Sequence, residues 1–178
     1  MDLNGWALAF AIPIVGLTFL LLSVATAPWF DPFQNWLSDL GGRPGSSKIW
    51  TSRGVTSILF NLAAITAGSL GLLYSIRMNI YYRIVMVAMI CVGVFPETTG
   101  ILHVIWGAIL FLTTPLAVWH VRIHRIPLTL LSMAGLVMLA LPRPWGSNAV
   151  AELIVLAPLM IVTVMSGVRH LTSLETNH

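Results

Sequence analysis

Six apolar runs fill most of the chain, and the breaks between them are mostly single arginines, prolines and short Gly/Ser/Asn stretches. The runs cover 5–27, 54–76, 80–95, 101–121, 126–141 and 149–168. About 20 mostly apolar residues carry a helix across a bilayer. The fifth run, stopped by Pro142, Arg143 and Pro144, is short and admits a tilted or partly re-entrant path. A water-facing globule could not cover such runs. Only 8% of the residues are charged, against roughly 25% in soluble domains. Lipid accepts an apolar exterior, provided every backbone group is bonded inside the protein. The expected fold is therefore all-α, a polytopic integral membrane bundle of six transmembrane helices forming a single domain over 1–178.

The net charge of +3 raises the question of nucleic acid. Lys and Arg are scattered singly, with no cluster able to track phosphates, so that partner is excluded. Membrane lipids, and other membrane subunits, are the partners such a chain implies. The lone Cys91 lies inside an apolar run and reads as a small packing residue. Residues 1–4 lack the basic start of a cleaved signal, and the run after them exceeds a signal core, so it is expected to stay as a span.

Orientation follows from the basic residues. Arg77, Arg83, Arg122, Arg125 and Arg169 collect on one side. Arg43, Lys48, Arg53 and Arg143 fall on the other, the first three in or just after the one long connection. Short connections and tails decide orientation most cleanly, which puts both termini in the cytoplasm of a multi-pass cell-membrane protein. Asp31, Asp39, Glu97 and Glu152 then fall on or near the outer side. Trp29, Trp36, Trp50 and Trp145 share that level, and Trp6 and Trp119 mark the inner one, as an aromatic belt would.

The long connection, 28–53, has helical logic in its first half. Asp31 suits an N-cap, Pro32 the first helical position and Gly41-Gly42 the stop. Phe33, Trp36, Leu37 and Leu40 follow an i, i+3, i+4, i+7 pattern, opposite Gln34, Asn35, Ser38 and Asp39. A short interfacial helix over about 32–40, after the first span, is predicted. Asp39 in its last turn would meet the negative dipole end and want a cation or donor, from Arg43, Lys48, Arg53 or His103. The Gly/Ser stretch 41–47 suggests a mobile return.

Asn35-Trp36-Leu37-Ser38-Asp39-Leu40-Gly41, an early Phe60-Asn61 in the second span, then Gly93-Val94-Phe95-Pro96-Glu97 and a following His103 occur in that order. This resembles the prokaryotic multi-span membrane proteins grouped as domain of unknown function 998. The likeness covers about 28–119 by motif and the whole chain by hydropathy. It implies a six-span fold and no function. The positions it carries over are Ser38, Asp39, Asn61, Pro96, Glu97 and His103.

Asp39, Glu97 and His103 are expected at similar depth on the outer side. Pro96 ends the third helix, and Thr98 or Thr99 can cap the fourth, with His103 in its first turns. Two carboxylates and an imidazole there could act as catalytic acid and base or hold a divalent metal. Ser38, Asn61 and Arg53 would bind and orient, with Ser57 one turn before Asn61 on the same face. The same side chains admit a structural reading, in which the carboxylates cap helices or pair with arginine and His103 locks Glu97. His120 and His124 stand i, i+4 at the inner end of the fourth span, a spacing that could hold metal or haem, although Arg122 and Arg125 suggest contact with anionic headgroups. Ala64/Gly68 and Ala67/Gly71 favour close helix packing. No phosphate loop, nucleophile elbow or catalytic cysteine pattern occurs, no cofactor is named by the residues, and the sequence does not decide whether the chain is an enzyme. The function it favours is binding or modification of a lipid or other amphipathic molecule at the outer surface. The alternatives are a non-catalytic structural subunit of a larger membrane complex and a small transporter. Against the transporter, the spans lack an ionisable residue near mid-membrane.

Overall fold

The computed structural model describes residues 5–75, 78–121, 123–142 and 148–175. Arg77, Arg122, Arg143 and Trp145, used in the orientation argument, lie outside the described residues. The chain is all-helical, with α1 Gly5–Ala25, α2 Val55–Tyr74, α3 Ile80–Val94, α4 Ile101–His120, α5 Arg125–Ala140 and α6 Ala149–Glu175. Four of these, α1, α2, α4 and α6, are long and apolar enough to cross a membrane. The shorter α3 and α5 have 15 and 16 residues, rises of about 22 and 24 Å. The sixth helix outruns its expected end at 168 and continues to Glu175.

The α1–α2 connection defines one end of the bundle. Ser23 and Thr26 bond to Thr56 across it, Ala149 at the start of α6 donates to Asn35, and Thr98 just before α4 donates to Ile49. α2, α4 and α6 therefore all begin at this end, and α3 and α5 return the chain to it. Packing closes a ring in the order α1, α2, α3, α4, α6 and back to α1, with α5 outside it against α4 and α6. The α4–α6 seam is the most sparsely packed of the ring.

Small residues set the helix spacing. A Cβ at Gly68 would stand 2.9 Å from the Met86 carbonyl oxygen, and one at Gly93 2.7 Å from that of Asn61, so α2 and α3 touch backbone to backbone. Gly135 does the same for α5, where a Cβ would lie 2.6 Å from Val155 N. The Ala64/Gly68 and Ala67/Gly71 spacing thus serves packing within one chain. Apolar side chains of α1, α2, α3, α4 and α6, among them Ala9, Met86, Val118 and Val162, fill the main core.

The connection does not form the interfacial helix predicted for 32–40. Residues 32–34 are turns, and only Leu37–Leu40 form a single 3-10 turn. Long-range partners took the backbone groups that an α-helix would have paired. Leu37 N–H, which a helix would give to the Phe33 carbonyl, donates to Glu152 Oε2, and the Phe33 carbonyl accepts Asn148 Nδ2 at 3.4 Å. The Asn35 carbonyl accepts Ala149 N–H at 2.8 Å. Leu37 and Leu40 point inward, forming a second small core with Ala27, Phe60 and Ala149. The connection is a plug in the mouth of the ring. The stretch after it is also tied down rather than loose: Gly41 and Gly42 are buried, and Arg43 N–H donates to Ser52 Oγ.

Glycines at contacts and in open space should respond oppositely. Gly68→Val overpacks α2 against α3 and is expected to cost about 1–3 kcal/mol. Gly107 in α4 has nothing within 4 Å of a built Cβ, so Gly107→Ala is expected to raise stability by up to about 1 kcal/mol. Thermal unfolding in detergent reads both.

Candidate functional site

The 3-10 turn places its polar residues. Because the element is a single turn starting at Leu37, Asp39 is its third residue and not part of the last turn of a longer helix. Its Oδ2 accepts the Trp36 N–H at 2.8 Å, so the expected dipole penalty does not arise. Gly41 then passes so close to α2 that a Cβ would stand 2.8 Å from Asn61 Oδ1. Asn61 is fully buried and its Nδ2 donates to the Gly41 carbonyl at 3.1 Å, fastening the plug to α2. Ser57, one turn earlier, accepts the Arg53 N–H at 3.0 Å.

Glu97 opens a short 3-10 turn, Glu97–Thr99, between α3 and α4. Neither threonine caps α4. Thr99 Oγ1 donates back to the Pro96 carbonyl and Thr98 Oγ1 to Ile49, while Gly100, at φ 60°, makes the corner. Burial, the Asp39 charge and a side-chain hydrogen bond with Asp39 push the Glu97 carboxyl up to about 8, against an opposing pull from Arg53. Two carboxylates only accept, and Glu97 Oε2 is shielded from water without a donor. A proton on Glu97 supplies the donor that this pair lacks.

Arg53 reaches the cluster from the start of α2. Its guanidinium lies 3.8 Å above the Trp29 ring and its Nε donates to the Gly42 carbonyl at 3.1 Å. His103 is 8% exposed, and its Nδ1 donates to the Phe95 carbonyl at 2.8 Å. In the neutral ring that bond leaves Nε2 as an acceptor.

Glu152 joins this group, and sequence reasoning missed it. It was placed at the outer level but given no part in the site. It is 3% exposed, in the first turn of α6, and receives the Leu37 and Ser38 backbone N–H groups. Its field is felt by the same carboxyls, since Asp39 and Glu97 both act on it. The available signal was an acidic residue four positions into an apolar run, which marks a site by default.

Two cavities meet at this cluster. An apolar chamber of about 110 Å³ lies inside the five-helix ring, between residues such as Leu20, Ala63, Met89 and Leu156. A larger groove of about 720 Å³ runs between α4 and α5, walled by Val104, Phe111, Leu112, Leu136 and Leu139. Ser38, His103, Gly107, Phe111 and Glu152 line both, so the two adjoin along the sparse α4–α6 seam. Glu97 and Trp36 line the groove. Of the expected site residues, Ser38, Glu97 and His103 face these spaces. Asp39 sits beside Glu97 but lines neither cavity, as do Asn61 and Arg53, which hold the plug and its neighbours.

The metal alternative for Asp39, Glu97 and His103 is not supported by the geometry: among the described residues no group of three His, Cys, Asp or Glu side chains is placed to hold an ion. The His120/His124 pair does not share a helix face. α4 ends at His120, and His124 precedes α5 in a left-handed conformation at φ 43°. His120 instead packs on Tyr81 with centroids 4.7 Å apart. No family model, curated protein or solved structure matches the chain.

A carboxyl raised from 4.5 to about 8 stays protonated in the fold while the unfolded chain ionises. Native protein then binds more protons across that window, so this group makes stability fall as pH rises through it. Glu97→Gln is expected to flatten that slope and to exceed the wild type in melting temperature on the alkaline side, measured by thermal unfolding across pH. A variant that melts lower at every pH would show that Glu97 is held as the ion.

Proposed function

We propose that this chain is a six-span membrane protein that takes a lipid-like amphiphile from the bilayer into the groove between α4 and α5. The observation that carries this reading is the groove itself, apolar along its walls and ending at Ser38, Glu97, His103 and Glu152. From Gly100 to Leu112 the wall rises about 18 Å, more than half of a ~30 Å hydrocarbon layer. An acyl or prenyl chain fits such a wall, and a polar head fits its end. Many of the outward residues of α4 and α5, including Val104, Leu112, Leu130 and Val137, are exposed and apolar, so the groove opens where lipid would be.

In this reading α3 and α5 also cross the bilayer, since helices on either side of each begin or end at opposite faces. The connection end is the outer face and both termini are cytoplasmic. Arg83, Arg125 and Arg169 at the far end of the bundle support that orientation. Trp29 under Arg53 at one end, and Trp119 at 4.9 Å from Arg125 at the other, fit two headgroup levels. Glu97 as a protonated acid and His103 as its neighbour supply the acid–base capacity with which the bound head would be held or modified. Asp39 positions Glu97, and Ser38 and Glu152 orient the head. The resemblance to domain of unknown function 998 fits here as well, because Ser38, Asp39, Asn61, Pro96, Glu97 and His103 all belong to this one end.

Photo-crosslinking with a diazirine-tailed lipid tests the reading. Label is expected on Val104, Phe111, Leu112 and Leu136 above the level on the outer faces of α1 and α2. Gly107→Leu, filling the open space beside the groove, is expected to bring that label down to the general level. Even labelling around the bundle, unchanged by Gly107→Leu, would remove the proposal.

A further inference from the structure

The residues at the polar end of the groove also restrict what the head can be. Among the described residues that line the groove none is Lys or Arg. Glu97, Glu152, His103 and Trp36 line it. Arg53, which acts on Glu97, is turned to Trp29 and Gly42 and lines neither cavity. A phosphate placed here would meet carboxyls and, among the described lining residues, no counter-charge. An ammonium would meet carboxyls, with a tryptophan among the lining residues, and both residue types serve in recognising amine and quaternary ammonium groups.

We infer that the amphiphile seated in this groove carries a cationic amine or quaternary ammonium head, held among Glu97, Glu152 and Trp36, with its chain between α4 and α5. This rests on the groove being an amphiphile site. Binding and proton release are linked. Glu97 holds a proton because burial and Asp39 disfavour its ion, up to about 8. A cation beside it supplies the missing counter-charge and expels that proton. Among the described residues, Asp39 and Arg53 on the connection act on Glu97, Glu152 on α6 feels its charge and His103 on α4 lines the same groove; the part of α5 that faces the groove, Leu136, Leu139 and Ala140, adds no charged or titratable group. Below the raised Glu97 value, affinity therefore climbs with pH by up to about tenfold per unit, and it levels off above that value.

The test compares heads on one chain. Purified full-length protein in neutral maltoside micelles is offered radiolabelled dodecyltrimethylammonium, dodecylglycerol or dodecyl phosphate, and retention is measured across pH. The quaternary ammonium keeps its charge throughout, so any slope belongs to the protein. It is expected to bind about tenfold or more tighter than dodecylglycerol near pH 8, with dodecyl phosphate weakest. Glu97→Gln is expected to flatten the pH slope and to remove most of the preference for the quaternary ammonium over dodecylglycerol. Equal binding of all heads, or a preference for phosphate, would overturn the cationic head. If Gly107→Leu still weakens every probe in that case, the groove itself stands. If Gly107→Leu leaves all binding unchanged, both readings fall.

Discussion

A connection that dips into a ring of apolar helices carries backbone N–H and C=O groups to a depth where water does not reach them, and each must find a protein partner. The start of α6 provides those partners. Glu152 takes the Leu37 N–H, Asn148 donates to the Phe33 carbonyl, and the Ala149 N–H goes to Asn35. Asn61 does the same from α2 by donating to the Gly41 carbonyl. The bonds from α6 join the first third of the chain to the last, and together with that of Asn61 they hold the plug beside both cavities. Removing one partner leaves a buried group unsatisfied, at about 1–3 kcal/mol each.

That constraint explains why the carboxyls of this end divide into holders and facers. Asp39 caps its own turn and stands behind Glu97, and Asn61 and Arg53 spend their hydrogen bonds on backbone of the connection. Glu97 lines the groove while its Oε2 is buried with no donor. Glu152 does both tasks, bonded to the plug and lining both cavities. A substitution at Glu152 therefore mixes loss of fold with loss of site, whereas Glu97 has no backbone group depending on its side chain in these bonds.

The helices were legible because apolar runs of this length have one solution in a bilayer. The first five end within about two residues of their expected limits, as helix boundaries usually allow. The plug was not legible. Phe33, Trp36, Leu37 and Leu40 have helical spacing, yet spacing counts side chains and cannot see that Glu152, Asn148 and Ala149 claim the backbone of the same stretch. His120 and His124 failed for a related reason, since the i, i+4 rule presumes an unbroken helix, whereas α4 ends at His120 and His124 stands before α5 in a left-handed conformation. That Asp39, Glu97 and His103 gather at one end could be expected from their common depth. Which of them face a cavity could not, because that depends on how α4, α5 and α6 pack.

Gly107 ties packing to use. A glycine inside a helix costs about 1 kcal/mol relative to alanine, and the usual offset is close approach by a neighbour, as at Gly68 against Met86. Gly107 has no such neighbour; its missing side chain borders space that both the inner chamber and the lateral groove share. The same stretch of α4 carries His103 one turn before and Phe111 one turn after, on the face toward that space. An opening of this kind weakens the packing of the α4–α6 seam and leaves Glu97 and Glu152 at the lining of a groove between α4 and α5. A bundle built only to fill its own interior would gain by closing it; in the reading proposed above, that gap is the space the amphiphile takes.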